Sequence, residues 1–400
     1  MLDFVFVLFV GALVGVFTGL MPGIHINTIA AGLLATSVFL LNYFSPFEIS
    51  IFILVVAIVH SFVDFIPSIY LGAPEPETAL SILPGHQLLM KGQGYEAVAL
   101  TVFGGIFGFL FVLGLSPLLF FFLNAFYFFV EQYMAFILII ISLLLILRDP
   151  KIFWAATIFL LSGALGFMVL RAGFIDKPLF PMLSGLFGAS FLLFSILHKT
   201  TLPTKQDLNF KVYKSESLQG GITGTIAGTA LSFLPGVGPA QANILAMEIN
   251  PALRNVRTFL IATGAINTVN VFVCLLTLYL LEKTRSGAVV AISIISPNLV
   301  LNEIFVLIAA CFFAVFAGAV LTLFLGKHFI KIFALLDYIL LIKIVLLFLF
   351  CMVVFMCGFY GLLVFTIAMF LGILPNYVGC RHSQLMGVLL VPTILWFLGI

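Results

Sequence analysis

A glycine-rich segment that ends in a Pro-Gly pair occurs twice in the chain. Gly11–Thr28 reads GALVGVFTGLMPGIHINT, and Gly224–Gln241 reads GTIAGTALSFLPGVGPAQ. Each copy is an apolar run with glycines four residues apart, followed by the Pro-Gly pair and a small polar segment. Glycines at this spacing share one helix face, against which another backbone can pack closely. Because proline cannot donate the amide hydrogen that a continuing helix needs, each helix is predicted to break at the pair.

The regular offset between the two copies predicts an internal duplication. The same number of residues separates Gly11 from Gly224 and Pro22 from Pro235. We therefore expect two homologous halves, a first membrane repeat over residues 1–198 and a second over residues 218–400. The hydrophilic segment 199–217 is predicted to be the linker between them.

The composition of the chain is that of a membrane protein. Of its 400 residues, 63% are hydrophobic and only 8% are charged. About 20 apolar residues cross a bilayer, and a crossing helix satisfies its own backbone hydrogen bonds. This predicts an all-α polytopic protein of the plasma membrane, with about 10–12 transmembrane helices and a Pro-Gly-broken or re-entrant helix in each half. The net charge of +2 gives no reason to expect a nucleic-acid partner.

Matched breaks in two apolar helices are typical of the substrate site of a secondary transporter. The free N–H groups and the dipole at the start of a helix favour an anion. We therefore predict that a small anionic substrate binds between the two breaks. The predicted substrate-binding residues are Pro22, Gly23, His25, Asn27, Thr28, Pro235, Gly236, Gly238, Gln241 and Asn243. The alternative interpretation is a pair of ordinary proline kinks in closely packed helices.

Polar residues in the span after each break form a second candidate site. His60 and Asp64 lie one helical turn apart in the first half, and Asn267 and Asn270 occupy the matching span of the second. A carboxylate inside a span is costly and usually faces a cavity or a partner. These residues are predicted to hold a coupling Na⁺ or proton, with no other cofactor. A structural hydrogen bond to His60 or to a neighbouring helix is the alternative for Asp64.

The longest polar interruption of the first half is Gly72–Leu100, which carries Glu75, Glu77 and Lys91. Connections of this length in a compact bundle are usually functional or re-entrant, so these three residues are candidates for gating. For the two glutamates, a simple helix N-terminal charge is the alternative interpretation.

Motifs for catalysis or nucleotide hydrolysis do not occur in the sequence. It contains no HExxH, no His/Cys metal cluster, no Walker-type phosphate loop and no GxSxG elbow. We therefore do not expect an enzyme, nor a transporter that is powered by nucleotide hydrolysis within this chain.

At these residues the chain resembles the large membrane subunit of tripartite tricarboxylate transporters, the TctA-like permeases. The resemblance covers essentially the whole chain. It rests on the doubled Pro-Gly segment, on three short stretches of the long loop and on two span endings. These are Gly72-Ala73-Pro74, Pro84-Gly85-His86, Lys91-Gly92-Gln93, Leu183–Gly188 and Leu385–Leu389. The chain is shorter than is usual for this family, and His25 and Glu75-Pro76-Glu77 replace the small residues expected there. We interpret these departures as those of a divergent, archaeal branch.

The resemblance implies an importer of di- or tricarboxylates that works by alternating access and is coupled to a cation. It also implies two partners, a small membrane subunit and an extracytoplasmic binding protein. An alternative is a polyisoprenyl-phosphate lipid carrier transporter, a flippase, in which the helix starts would receive the lipid phosphate. A scaffold that transports nothing is a third class, and it predicts no directional flux.

Overall fold

The computed structural model describes residues 2–21, 26–72, 82–173, 175, 177–198, 203, 205–232, 238–283, 286–333 and 337–400. Within these residues the regular secondary structure is helical. The helices are α1 (Leu2–Leu20), α2 (Ile26–Leu40), α3 (Pro46–Val63), α4 (Phe65–Leu71), α5 (Ile82–Met90), α6 (Gly94–Gln132), α7 (Met134–Leu147), α8 (Ile152–Ala172), α9 (Leu179–Leu183), α10 (Ser190–Leu197), α11 (Lys214–Leu231), α12 (Pro239–Ile249), α13 (Val256–Leu281), α14 (Gly287–Ile295), α15 (Leu301–Phe333), α16 (Tyr338–Val378) and α17 (Gly387–Phe397). A π-helical turn (Ser184–Ala189) joins α9 to α10, and 3₁₀ turns follow α12 (Pro251–Arg254) and precede α17 (His382–Met386).

Seven helical segments in the described part of the chain are long and apolar enough to cross a membrane. They are Pro46–Leu71, Gly94–Phe121, Ile152–Ala172, Leu179–Leu197, Val256–Leu281, Leu301–Phe333 and Ile339–Val378. Shorter apolar helices occur at Phe4–Leu20, Met134–Leu147 and His382–Phe397. The prediction of an all-α polytopic membrane protein is confirmed, whereas the count of 10–12 spans stays a prediction.

Helix α1 packs against α3 through its glycine face. A Cβ atom built on Gly15 would lie 3.0 Å from the carbonyl oxygen of Val56 and 2.8 Å from Cβ of Val59. These distances are shorter than ordinary van der Waals contacts, so glycine is what allows the two backbones to approach. The close approach that the glycine spacing predicts is therefore present in α1.

Helix α11 packs against α13 with the same arrangement. A Cβ atom built on Gly228 would lie 3.0 Å from the carbonyl oxygen of Ile266 and 3.1 Å from Cβ of Val269. In both halves the glycine thus meets a carbonyl oxygen and, three residues further on, a β-branched side chain. The internal repeat stays a prediction, because the segments 22–25 and 233–237, which contain both Pro-Gly pairs, lie outside the described residues.

The two largest clusters of buried apolar side chains in the described residues define two cores. The first core combines α1–α6 with α13–α15, and includes Phe62 and Phe272. The second combines α7–α9 with α12, α16 and α17, and includes Leu138 and Leu385. Each core therefore takes helices from both sides of the segment 199–217. The repeat boundaries at that segment stay a prediction.

Reciprocal contacts join the two sides of the chain in the second core. Gly166 of α8 lies directly against the carbonyl oxygen of Val388 in α17. Gly372 of α16 lies in the same way against the carbonyl oxygen of Leu186, in the π-helical turn. Leu186 and Val388 belong to the two span endings that the sequence pairs, so these endings have equivalent neighbours.

An ion-pair network holds residues 205–213 against the helices. The Arg257 guanidinium lies 2.6 Å from Oε1 of Glu96 and 2.8 Å from Oε2 of Glu216. It also donates to the carbonyl oxygen of Lys211, whose backbone N–H donates to Glu96 at 3.1 Å. The connection between the two halves is thereby attached to α6, α11 and α13.

Candidate functional site

Many of the predicted site residues belong to parts of the chain that the structure does not describe. Those outside the described residues are Pro22, Gly23, His25, Glu75, Glu77, Pro235 and Gly236. For Asn27, Thr28 and Gln241 only the backbone is described, in the first turns of α2 and α12. The site is therefore built here from the helix ends on either side of the two breaks. Helix α1 ends at Leu20 and α2 begins at Ile26, and α11 ends at Leu231 and α12 begins at Pro239.

In the second half, α13 makes polar contacts on both sides of the predicted break. Ser232, just after α11, donates to Oδ1 of Asn270 at 3.2 Å. Thr263 lies 3.2 Å from Oδ1 of Asn243 in α12, and the Asn243 amide nitrogen donates to the carbonyl oxygen of Pro239. Gly238 directly precedes α12, and its carbonyl oxygen accepts a hydrogen bond from the Ala242 N–H. Helix α13 thus presents one polar face to the ends of both α11 and α12.

Asn267 lies on this polar face between the two contacts. It follows Thr263 by four residues and precedes Asn270 by three, which places all three on one side of α13. Its side chain is only 2% exposed, and neither of its amide atoms has a hydrogen-bond partner within the described residues. An unsatisfied buried polar group costs about 1–3 kcal/mol. The Asn267 amide is therefore a group that a bound ligand would satisfy.

The first half has a corresponding contact between the end of α1 and α3. Nδ1 of His60 lies 3.1 Å from Oγ1 of Thr18, and both residues are buried. The match extends to the backbone. A Cβ atom on Gly19 would lie 2.9 Å from the carbonyl oxygen of His60. In the second half, Oγ of Ser232 lies 3.4 Å from the carbonyl oxygen of Asn270. The packing therefore makes His60 the counterpart of Asn270.

Asp64 lies at the junction of α3 and α4. Its side chain is 1% exposed, and its backbone N–H donates to the carbonyl oxygen of His60 at 2.9 Å. The junction lies inside the apolar segment Pro46–Leu71. A carboxyl group at such a place is energetically costly, and such groups usually face the bundle interior or a cavity and pair with another polar group.

The long loop of the first half leads into α5, which packs against α4, α6 and α13 and contacts α10 through His86. The His86 ring of α5 is buried and meets the Phe191 ring edge-on, with 4.6 Å between centroids. Burial lowers the pKa of His86 to about 4, so the ring is neutral at physiological pH. Lys91 is exposed in the turn that follows, where the Asp207 N–H donates to the carbonyl oxygen of Gly92 at 2.7 Å.

The polar residues His60 and Asn270 stand out in the sequence, but their partners Thr18 and Ser232 do not. A hydroxyl in an apolar helix commonly bonds to its own backbone, and Thr18 does donate to the carbonyl oxygen of Val14 at 2.8 Å. The available signal was position, since each hydroxyl lies three or four residues before a Pro-Gly pair. As for metals, no group of three or more His, Cys, Asp or Glu residues that could hold an ion occurs in the described ranges.

The apolar helices define the protein as a multi-pass membrane protein. The comparison with protein families agrees with this class. The Tripartite tricarboxylate transporter TctA family matches residues 5–387, and the chain belongs to that family. This is a family of transporters and not of enzymes, and its members are the large subunit of tripartite tricarboxylate transporters.

An archaeal protein resembles the chain over nearly its full length. The Uncharacterized protein MJ1079 of Methanocaldococcus jannaschii is 32% identical over 406 residues, which covers 98% of each chain. No solved structure matches the chain.

Proposed function

We propose that the protein is a secondary active transporter that moves a small organic anion of the di- or tricarboxylate class across the plasma membrane. The observation that carries this proposal is the buried Asn267 amide, which has no hydrogen-bond partner in the described residues and lies between two contacts that flank a predicted helix break. A carboxylate of the substrate would accept a hydrogen bond from the amide nitrogen of Asn267. Membership of the TctA family supports the substrate class.

The proposed substrate site lies between the two Pro-Gly breaks, Pro22-Gly23 and Pro235-Gly236. The N–H groups at the starts of α2 and α12 would bind the carboxylates, as helix N-termini commonly bind anions. His25, Asn27, Thr28 and Gln241 would add polar contacts from the same two segments, next to Gly238. Asn243 has a different proposed role, because its side-chain amide is already hydrogen-bonded to Thr263 of α13. It would position the helix start.

The proposed coupling site comprises Asp64, His60, Asn267 and Asn270. Asn267 would contribute to both sites, with its amide oxygen towards the coupling ion and its amide nitrogen towards the substrate carboxylate. Asp64 would take up a proton or Na⁺, and His60 would transmit the change to α1 through Thr18, 3.1 Å away. A coupling ion bound near the anion lowers the electrostatic cost of bringing charge into the apolar region. This is why both sites are expected on the same two helix pairs, α1 with α3 and α11 with α13.

Alternating access is the proposed mechanism. The equivalent packing of Gly15 on α3 and of Gly228 on α13 supports two related halves that could exchange conformations. Glu75, Glu77 and Lys91 are proposed to gate the site. A small membrane subunit and an extracytoplasmic binding protein are the proposed partners. The family membership favours a soluble carboxylate over the lipid phosphate of a flippase.

Thermal unfolding of the purified protein tests this proposal. A ligand that binds the folded state raises the apparent stability by RT ln(1 + [L]/Kd), so citrate with Na⁺ or at low pH should raise the Tm. Asn267→Leu should abolish this shift. The matched control is Asn298→Leu, because Asn298 is an exposed amide after α14.

Two results would contradict the proposal. The site assignment fails if Asn267→Leu keeps the full citrate shift. The substrate class fails if polyprenyl phosphate raises the Tm and citrate does not, and the flippase is then the better description.

A further inference from the structure

A cavity of about 410 Å³ lies where the two cores meet. Helices α5, α12 and α13 form one side of it, and the turn that begins at His382 forms the other. Its lining includes Ile244, the central residue of α12, and Met247, near the C-terminal end of that helix. Since a helix rises 1.5 Å per residue, Met247 is about 12 Å along α12 from Pro239, where the helix begins after the break. The cavity is therefore distinct from the helix start of α12.

Arginine side chains from both sides line the cavity. Arg254 comes from the turn after α12, and Arg381 precedes the turn at His382. Glu248 is shared, because its carboxylate pairs with Arg381 at 3.3 Å and with Arg148 at 2.7 Å. Asp149 accepts from the Arg381 backbone N–H at 3.0 Å. Arg148 and Arg381 are thus paired with the Glu248 carboxylate, whereas Arg254 has no ion pair within the described residues.

A buried hydroxyl also lines this cavity. Ser383 is 8% exposed, and its Oγ has no hydrogen-bond partner in the described part of the chain. Buried polar groups in folded proteins are almost always hydrogen-bonded, so an exception calls for an explanation. A ligand that accepts a hydrogen bond would provide one.

We propose that this cavity is a second binding site for a soluble polycarboxylate. Arg254 and Arg381 would each receive a carboxylate, for which the planar guanidinium is well suited, and the Ser383 hydroxyl would donate a third contact. The apolar walls, with Met247 and Phe259, would cover the carbon skeleton. The ligand class rests on the proposed function, whereas the position of the site is independent of Asn267.

The two arginines belong to different cores, and this gives the site a consequence for the transport cycle. Arg254 is attached to α13 of the first core and Arg381 to the turn before α17 of the second. A polycarboxylate that bridges them would hold the two cores together at this point. The site is therefore placed to receive the anion before or after it occupies the site between the breaks.

Thiol labelling tests this inference without measuring transport. In a variant whose five native cysteines are replaced, Ser383→Cys is labelled with an anionic and with a cationic methanethiosulfonate of similar size. We expect the anionic reagent to react at least threefold faster, and the ratio to fall to about one when Arg254 and Arg381 are both changed to Gln. Gln87→Cys, on the α5 side of the cavity, provides a second reporter should Ser383→Cys fail to fold.

Protection from labelling identifies the ligand. In detergent without lipid, millimolar citrate should slow the anionic labelling at least threefold, and it should still do so in the Asn267→Leu variant. Equal rates for the two reagents, or no protection by citrate, would overturn the inference. Protection by anionic-lipid nanodiscs in the absence of citrate would also overturn it, because the ligand would then be a lipid headgroup. Loss of citrate protection in Asn267→Leu would mean that there is one site and not two.

Discussion

Alanine at Gly15 or at Gly228 should destabilise the protein by similar amounts. The new Cβ at Gly15 would lie 2.8 Å from Cβ of Val59, and the one at Gly228 would lie 3.0 Å from the carbonyl oxygen of Ile266. Both distances are several tenths of an ångström too short, so the helix pair must separate. Overpacking of this kind costs about 1–3 kcal/mol, against a gain of about 1 kcal/mol in helix propensity for alanine over glycine. The net loss should be about 1 kcal/mol, and about 2 kcal/mol at most, at either position.

Gly114→Ala is the matched control for both substitutions. Gly114 lies inside α6, and nothing lies within 4 Å of the position of its Cβ. Here only the propensity gain remains, so the variant should be as stable as the parent or slightly more so. Thermal unfolding in detergent can be monitored by intrinsic fluorescence. The Tm should be lower for the Gly15→Ala and Gly228→Ala variants, whereas Gly114→Ala should not lower it.

The result of this comparison bears on the proposed repeat. If Gly15→Ala and Gly228→Ala both match Gly114→Ala in stability, the close packing of α1 on α3 and of α11 on α13 is wrong. If only one of them lowers the Tm, the two helix pairs do not pack equivalently, and the argument for related halves loses its structural support.

The remaining predictions concern two buried polar contacts. Arg257→Gln removes the cation that pairs with the Glu96 carboxylate, whose side chain is only 6% exposed. We expect the free energy of unfolding to fall by about 3 kcal/mol and segment 205–213 to be cleaved faster by a protease. Unchanged protease resistance would contradict the role of this ion-pair network. Tyr70→Phe removes a buried hydroxyl that donates to the carbonyl oxygen of Gly326 at 3.2 Å, and the Tm should fall by the equivalent of about 1 kcal/mol. A Tm equal to that of the parent would show that this bond does not contribute to stability.

Four polar residues of the candidate site could be found in the sequence because charged and amide side chains are rare in apolar helices, whereas their role as a site stays a prediction. His60, Asp64, Asn267 and Asn270 stand out in the sequence for this reason, and all four have their side chains wholly or largely buried. What each of them contacts could not be predicted. The pairing of Asn270 with Ser232 depends on how α11 and α13 are positioned along each other. The glycine face of α11 allows close packing, but the sequence does not say that α13 is the helix packed against it.

The cavity at Ser383 shows the opposite case. Its lining comes from segments around residues 84, 250 and 382, which are far apart in the chain. The sequence contains Arg254 and Arg381 as isolated basic residues in short connections, where a cation usually faces solvent. Only the meeting of the two cores brings both guanidinium groups to one cavity.

The sequence by itself determined the class of the protein and the type of its secondary structure. A chain with 63% hydrophobic residues must satisfy its backbone within each segment, so its spans are helices whatever their neighbours are. The tertiary structure decided which helices share a core. In a bilayer both the lipid and the partner helix are apolar, so hydrophobicity does not show which face of a helix packs against another helix. Close backbone contacts, such as that of Gly166 with Val388, identify the packing face. That is why two cores, each drawn from both sides of segment 199–217, emerged only from the fold.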